Sequence, residues 1–341
     1  MTLTTAIQTY LTDAPTSEFR GLEVTVVDHW EGRDNLLWRV EAGARNAAQD
    51  AVIKLFLDAG QVRSRRQYDG QQLFAPFGIA PQPLWYDRYP DGLSRQIMVY
   101  HWAPGATPDP DDAGQLTELA RAVAALHDGD PTAVRRFSPN PVNLDYLWRL
   151  LAGSTQQNVA WLRDRGLSAL ADAVAQQSDA AAALVTQARP LWQGVLPAPV
   201  HGDLRLENAV VGPGGCVLLD WELFGLGDPA QEIAQFLELH RQELSPFQQA
   251  HWLDTYLAGV DQPGLDARID VYRRVLAYRA VAFLLDGLRE LAADAQELAA
   301  HAENLPYFAA TLTAAAAQAA AALETTDLPH AQIDALFARL T

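Results

Sequence analysis

Oxygen-bearing side chains cluster in the stretch HGDLRLENAVVGPGGCVLLDWE, residues 201–222. Asp203 and Asn208 are five residues apart, and Asp220 follows a run of apolar residues. Two short apolar runs flank the turn sequence GPGG, which predicts a β-hairpin. Carboxylate and amide oxygens are the ligands that Mg²⁺ prefers, so we expect Asn208 and Asp220 to bind this metal ion from neighbouring strands.

The same stretch could support the transfer of a phosphoryl group. That reaction needs the phosphate charge to be neutralised and a hydroxyl group to be held in line with the terminal phosphorus. Asp203 can face such a hydroxyl and take its proton, whereas His201 is expected to support the loop by packing and hydrogen bonding. Asp and Asn are common in turns, so each residue alone favours a structural role. Their occurrence together on one hairpin favours catalysis.

The motif resembles the catalytic loop and metal-binding segment of the protein-kinase-like fold. The glycine after His201, and DWE where protein kinases have DFG, make it similar to the aminoglycoside phosphotransferase and choline kinase family. The resemblance extends to ALH before the catalytic loop and to GDP after DWE. It implies ATP and Mg²⁺ as cofactors. It also implies that Arg205, where many protein kinases have a lysine, could touch the transferring phosphate.

A single lysine, Lys54, stands among the 25 lysine and arginine residues of the chain. It falls in the predicted strand DAVIKLFLD, where kinase-like folds carry the lysine that contacts the α- and β-phosphates. A compact ammonium group on a flexible stem suits a phosphate cradle better than a planar guanidinium does. A randomly placed surface lysine is the alternative, and the occurrence of the one lysine at this position argues against it.

Two further segments resemble the family's nucleotide site. Kinase-like folds pair the strand lysine with a glutamate of the next helix, and here that position holds Gln67, which can accept a hydrogen bond from Lys54 but cannot neutralise it. Upstream, HWEGRDNLLWRV resembles the loop over the nucleotide. There Gly32 would let the backbone approach phosphate and Asn35 would stabilise the turn; with one glycine, an ordinary hairpin turn is the alternative.

The sequence IMVYHWAPG resembles the hinge strand of the family. This resemblance implies that backbone groups around Tyr100 and Trp102 hold the edge of the adenine ring. Met98 would then lie near the rear of the same pocket.

The acceptor molecule is expected to bind on the helical part of the chain, facing Asp203. Glu222 is predicted to border that region, and Glu232 to cap or anchor the catalytic loop. Aromatic residues such as Trp148 and Tyr278 could line the acceptor pocket, although aromatic residues at helical spacing more often belong to the core.

The elements that must position these residues differ between the two parts of the chain. Residues 1–102 contain five predicted strands and one helix, which predicts a nucleotide-binding lobe. Residues 103–341 open with the linker APGATPDPDDAG and are mainly helical around the hairpin, which predicts a lobe with the catalytic loop and substrate site. The expected fold is α+β and two-lobed, protein-kinase-like, with an N-terminal five-stranded sheet lobe and a larger, mainly helical C-terminal lobe.

The amino-acid composition limits the kinds of molecule that the protein is expected to bind and the compartment in which it is expected to occur. The net charge of −17 argues against binding to nucleic acid or an anionic membrane surface, and it would suit a cationic substrate. One cysteine, Cys216, allows no internal disulfide and fits a reducing compartment. The first residues lack the basic and apolar regions of a signal peptide, and no stretch has the apolar run of a membrane span. We therefore expect a cytoplasmic protein.

The leading hypothesis is an ATP-dependent phosphotransferase that transfers the γ-phosphate to a hydroxyl of a small molecule, which could be aminoglycoside-, choline- or amino-alcohol-like. The alternative, motivated by Gln67, is a nucleotide-binding pseudokinase with a regulatory role. A protein kinase is disfavoured because no APE and no activation segment follow DWE. The sequence does not specify four properties: the identity of the acceptor, the preference for ATP or GTP, the effect of Gln67 on activity and the oligomeric state.

Overall fold

The computed structural model describes residues 2–32, 34–43, 49–57, 63–134 and 144–340. None of the helices within these residues is both long and apolar enough to cross a membrane. In chain order the helices and strands are α1 (Leu3–Asp13), β1 (Val24–Glu31), β2 (Asn35–Ala42), β3 (Gln49–Phe56), α2 (Arg63–Phe74), β4 (Pro83–Asp87), β5 (Ile97–His101), α3 (Ala113–His127), α4 (Leu144–Asp164), α5 (Ser168–Ala188), β6 (Ala198–Val200), β7 (Ala209–Gly212), β8 (Gly215–Leu218), β9 (Gly225–Gly227), α6 (Pro229–Leu239), α7 (Pro246–Leu257), α8 (Leu265–Leu291), α9 (Ala295–Ala300), α10 (Leu305–Leu323) and α11 (His330–Phe337).

The first five strands form one antiparallel sheet with the order β1-β2-β3-β5-β4. The prediction of a five-stranded sheet interrupted by one helix is confirmed, since α2 lies between β3 and β4. Four residues of the predicted segments lie outside the described residues: Arg33 of the loop after β1, Asp58 of the third strand, and Gln61 and Val62 of the helix.

One face of this sheet forms an apolar core with the N-terminal helix. Ile7 and Leu11 of α1 belong to the same buried cluster as Trp38, Ile53 and Val99 from three neighbouring strands. Alternate residues of a strand point to opposite faces, so the odd-numbered positions of β3 and β5 supply this core.

The opposite face carries the lysine. Val52, Lys54 and Phe56 alternate with the core positions along β3, and Met98 and Tyr100 of the paired strand β5 belong to the same small apolar cluster as Val52 and Phe56. Lys54 is therefore buried among apolar side chains, with 2% of its surface exposed. An ammonium group in such a place must be paired with polar or charged partners.

A β-bulge changes the face that β1 presents. The pairing of β1 with β2 shifts register between Val26 and Asp28, which leaves Val27 as an extra residue in β1. Beyond the bulge, the indole of Trp30 stacks on that of Trp102, with ring centroids 5.9 Å apart and planes 3° from parallel.

The predicted hairpin is also present. β7 pairs antiparallel with β8, and β6 pairs with β9. Short 3₁₀ turns at Leu206–Asn208 and Trp221–Leu223 stand directly before and shortly after the hairpin. The linker is tied to β7, because Ala106 forms a bridge with Val211.

The chain packs as two compact units. One comprises the described residues of Met1–Asn140, Pro197–Glu232 and His240–Asp261, and so contains the sheet and the hairpin. The other comprises those of Pro141–Leu196, Ile233–Leu239 and Gln262–Thr341. The division into a nucleotide lobe, 1–102, and a catalytic and substrate lobe, 103–341, concerns function and stays a prediction.

The second unit is helical. Its core takes Leu162, Leu170, Val281, Leu312 and Leu336 from five different helices. A groove of about 490 Å³ lies along α4 and α5 and is lined by residues of both helices.

The aromatic candidates in this unit differ in exposure. Tyr278 is fully buried, and its hydroxyl lies 2.6 Å from that of Thr155, so it belongs to the core. Trp148 lines the α4–α5 groove.

Candidate active site

Lys54 meets two of the residues that the sequence places with it. Its Nζ donates hydrogen bonds to Oδ1 of Asp220, at 2.5 Å, and to Oε1 of Gln67, at 3.0 Å. Side chains from β3, α2 and the segment after the hairpin therefore meet here: Lys54, Gln67 and Asp220.

Gly70 explains how α2 comes close enough for Gln67 to reach Lys54. A Cβ atom on Gly70 would lie 2.9 Å from the ring of Phe224 and 3.0 Å from that of Trp221. The absence of a side chain lets α2 pack against the aromatic residues that follow Asp220. A glycine inside a helix costs stability, and here that cost permits the close approach.

Asp220 is held in an unusual backbone conformation. Its φ of 59° is left-handed, which is uncommon for a residue other than glycine and is often found at functional sites. Burial alone would raise the pKa of Asp220, but the Lys54 ammonium, which also donates a hydrogen bond, lowers it below the usual value for an aspartate. Asp220 is therefore a carboxylate at neutral pH.

Asn208 and Asp203 form a clamp on the predicted catalytic loop. The amide Nδ2 of Asn208 donates to the Asp203 carbonyl oxygen at 2.9 Å and to its Oδ2 at 2.8 Å. Both amide hydrogens of Asn208 are used in this way, so its Oδ1 is the atom left for a metal ion. The Leu219 N–H donates to the Asn208 carbonyl at 2.7 Å, which ties Asn208 to the backbone next to Asp220.

This donor set fits Mg²⁺. It offers one carboxylate and one amide oxygen, the hard ligands that the ion prefers. Among the described residues, no group of three or more His, Cys, Asp and Glu side chains is arranged to hold a metal ion. Mg²⁺ commonly takes one or two protein ligands and completes its shell with phosphate oxygens and water.

The predicted anchoring role of Glu232 is confirmed. Its carboxylate accepts hydrogen bonds from the backbone N–H groups of His201, at 3.0 Å, and Gly202, at 2.6 Å, and lies 2.9 Å from Nε2 of His127. Burial would raise the pKa of Glu232, but the hydrogen bond with His127 and the charges around it lower it. His127 also contacts the Tyr256 hydroxyl at 2.7 Å, so a buried polar network holds the start of the loop.

His201 supports the loop as expected. Its Nε2 lies 2.6 Å from the Leu219 carbonyl oxygen, and its ring meets the Trp221 ring edge-on at 5.1 Å. Further along, the Leu206 N–H donates to Nε2 of His240 at 3.1 Å. The loop is thus fixed from both sides of Asp203.

Arg205 is partly exposed. Its Nε lies 3.3 Å from a carboxylate oxygen of Glu207, so in this structure the guanidinium is paired with a neighbour in the chain. Contact of Arg205 with a transferring phosphate stays a prediction.

Among the described residues of the predicted nucleotide loop, Gly32 and Asn35 are joined by a backbone hydrogen bond between β1 and β2. The Gly32 N–H donates to the Asn35 carbonyl at 2.8 Å. The Asn35 side chain reaches Oε1 of Glu222, at 3.5 Å. The turn that would cover phosphates is therefore tied to the segment after Asp220.

The residues of the predicted hinge strand differ in their surroundings: some side chains are buried and one is stacked between other groups. Met98 and Tyr100 are buried, and burial together with the nearby Asp220 and Glu222 carboxylates raises the pKa of Tyr100. Trp102 lies between Trp30 and the Arg39 guanidinium, which is 4.6 Å from its ring centroid. The backbone N–H of Trp102 donates to the Asp50 carbonyl oxygen at 2.9 Å, so this N–H group is already engaged within the sheet.

The sequence interpretation missed two features of this site. Glu222, expected at the border of the acceptor region, has its Oε1 3.7 Å from the Lys54 ammonium. The acidic residue two positions after Asp220 was the available signal. Trp30 was not singled out, because the bulge that turns it toward Trp102 breaks the alternation of the strand.

A strand lysine paired with the aspartate after a hairpin, next to an Asp–Asn clamp, is the arrangement of the protein-kinase-like fold of small-molecule kinases. The chain belongs to the phosphotransferase enzyme family, whose model matches residues 25–268.

Known proteins are similar to this chain over different lengths. The thiamine kinase of Shigella boydii serotype 4 is 31% identical over 196 residues, which are 56% of this chain and 60% of that protein. A choline/ethanolamine kinase family protein from Mesorhizobium loti has a similar structure, with a TM-score of 0.55 and 19% identity over 99% of this chain and 100% of that one. A thermostable mutant of the aminoglycoside phosphotransferase APH(4)-Ia, in a complex with AMP-PNP and hygromycin B, has a similar structure, with a TM-score of 0.51 and 16% identity over 92% of this chain and 94% of that one.

Proposed function

We propose that this protein transfers the γ-phosphoryl group of ATP to a hydroxyl group of a small molecule. The observation that carries the proposal is the contact of Lys54 with Asp220, at 2.5 Å, beside the clamp between Asn208 and Asp203. A protein that only binds nucleotide has no need of a fixed proton acceptor such as Asp203. The kinase and phosphotransferase names of the relatives also support an enzyme over the pseudokinase alternative.

In the proposed reaction the acceptor oxygen attacks the γ-phosphorus while its proton passes to the Asp203 carboxylate. The new phosphorus–oxygen bond forms as the bond to the β,γ-bridging oxygen breaks, and ADP leaves. Asn208 fixes the orientation of Asp203 through Oδ2. Arg205 would contact the transferring group after exchanging its present partner, Glu207.

The remaining site residues would hold the nucleotide. Lys54 would bind the α- and β-phosphates, and Asn208 and Asp220 would hold Mg²⁺, which when bound neutralises phosphate charge. The turn at Gly32 and Asn35 would cover the phosphates. The base would lie on the sheet face that carries Met98, Tyr100 and Trp102, which makes residues 1–102 the nucleotide-binding part and leaves the acceptor to residues 103–341.

The acceptor class that we favour is a cationic alcohol. The chain carries a net charge of −17, and thiamine, named by the curated relatives, is a cation with a primary hydroxyl group. The name of those relatives makes thiamine the first molecule to test, and the alignment with them spans 60% of their length. ATP and reduced cysteine are both found in the cytoplasm, where we place this protein.

A coupled assay of ADP release tests the proposal. Mg²⁺–ATP is offered with thiamine, choline, ethanolamine and aminoglycosides in turn, and the wild type is compared with Asp203→Asn. We expect acceptor-dependent turnover that falls by about a hundredfold or more in the variant, the usual scale for a positioned acid–base group, with ATP affinity within a few-fold. Nucleotide binding without turnover on any acceptor favours a pseudokinase, and undiminished turnover in the variant removes Asp203 from the mechanism.

A further inference from the structure

The buried Lys54 lacks the usual charged partner from α2. Gln67 accepts its hydrogen bond at 3.0 Å but brings no negative charge. A buried ammonium group is costly unless it is compensated. Asp220 also accepts a hydrogen bond from Lys54. Its carboxylate is, however, the proposed metal ligand, so its negative charge would have to balance both the Lys54 ammonium and the metal ion.

Glu222 lies where a second carboxylate can compensate Lys54. Its side chain is largely buried, and Oε1 is 3.7 Å from Nζ of Lys54. Oε2 is 3.5 Å from a guanidinium nitrogen of Arg63, in the first turn of α2. Oε1 also accepts from the Asn35 amide at 3.5 Å. One carboxylate therefore contacts the lysine strand, the helix and the turn between β1 and β2.

On the side of α2 that faces Lys54 and Glu222, the charged residue is the cation Arg63, whereas kinase-like folds have a glutamate on this helix. Arg63 and Gln67 are four residues apart and so lie on the same side of α2. Gln67 contacts Lys54, and Arg63 contacts Glu222. In this structure the second carboxylate near Lys54 therefore comes from the DWE turn rather than from α2, and Arg63 of α2 contacts that carboxylate.

We propose that Glu222 replaces the missing helix glutamate as the positioning residue for Lys54. It would fix the ammonium group for the phosphates and link Lys54 to α2 through Arg63. This inference rests on the proposed function for its kinetic readout, but the binding readout below does not depend on phosphoryl transfer.

A charge relocation experiment tests this role. Glu222→Gln removes the carboxylate and keeps the shape, and Gln67→Glu puts a carboxylate at the helix position. Nε2 of Gln67 has no hydrogen-bond partner among the described residues, so the second change breaks no bond in that part of the protein. The double variant carries both changes. Glu118→Gln, which alters a solvent-exposed pair with Arg121, is the matched control.

The readouts are the Kd of Mg²⁺–AMP-PNP by calorimetry, KM for ATP and kcat. We expect Glu222→Gln to raise Kd and KM about tenfold, the scale of a lost charge-assisted contact, with a smaller change in kcat. The double variant should return to within about threefold of the wild type, and Glu118→Gln should not differ from it. If no acceptor supports turnover in the wild type, the proposed function fails while the Kd values still decide the role of Glu222.

Two results would overturn the inference. One is an unchanged Kd in Glu222→Gln. The other is a loss that Gln67→Glu does not repair, above all if the Mg²⁺ concentration for half-maximal binding rises, which would make Glu222 a metal ligand. Should Glu222→Gln fail to fold, Glu222→Asp takes its place, because it keeps the negative charge but shortens the side chain by one methylene. If Gln67→Glu does not repair the loss in Glu222→Asp, the inference is again overturned.

Discussion

Gly202 and Leu223 approach so closely that a Cβ atom on the glycine would lie 2.3 Å from the leucine carbonyl oxygen. Gly202 also has a left-handed φ of 86°. The backbone of the catalytic loop therefore rests directly on the backbone of the turn after Asp220. This contact is a physical reason for glycine between His201 and Asp203, where many protein kinases have arginine.

Replacing Gly202 by alanine should destabilise the protein by about 3 kcal/mol, because backbone strain and overpacking each cost on the order of 1–3 kcal/mol. Urea unfolding measures the change. Gly214→Ala is the control in the turn between β7 and β8, since a Cβ there meets nothing within 4 Å. Equal stability of the two variants would contradict the close contact.

Replacing Asp220 by alanine should abolish stabilisation by Mg²⁺–ATP. A ligand that binds only the folded state at about 100 times its Kd adds about 2.7 kcal/mol, and Asp220 is the proposed carboxylate ligand. Thermal unfolding with and without Mg²⁺–ATP measures this. Asp172→Ala, on an exposed surface pair, is the control. The metal assignment is wrong if Asp220→Ala gains as much stability as the wild type.

Replacing Lys54 by methionine should raise the Kd of Mg²⁺–ATP by about tenfold or more through loss of a charge-assisted phosphate contact. Lys54→Arg should not restore binding, because a planar guanidinium does not fit where a compact ammonium group is buried. Calorimetry on both variants is the measurement. Wild-type affinity in Lys54→Met would exclude a phosphate contact.

The Glu232 network predicts a loss of stability in acid. The folded state lowers the pKa of Glu232, so its contribution is present above the unfolded value, about 4.3, and is lost as pH falls through the lower, folded value. Glu232→Gln should be less stable than the wild type at pH 7, and the difference should shrink as the pH falls below about 4. Urea unfolding across this pH range measures the difference; a gap that does not change with pH would contradict the prediction.

Much of this site could be predicted because it depends on short-range patterns. Alternation along β3 places Lys54 opposite the core face, and the hairpin brings Asn208 close to Asp220 in the fold. Residue types and spacing are sufficient for such elements.

Other parts depend on contacts between distant segments. The left-handed Asp220 and the 3₁₀ turn after it direct Glu222 toward Lys54, and no local pattern specifies that direction. Gly70 lies inside α2, and only the packing of Phe224 and Trp221 against it accounts for a glycine at that position. Such features require knowledge of what packs on the residue.

The extra residue at Val27 has a consequence for comparing relatives of this chain. Positions before it contribute to the core with α1, whereas Trp30 beyond it stacks on Trp102. A relative that lacks the bulge matches this chain on both sides of Val27 only if a one-residue gap is placed there. An alignment that is correct before Val27 and lacks that gap compares every later position of the strand with a residue of the opposite face, so a difference at the position of Trp30 would be assigned to the wrong side chain.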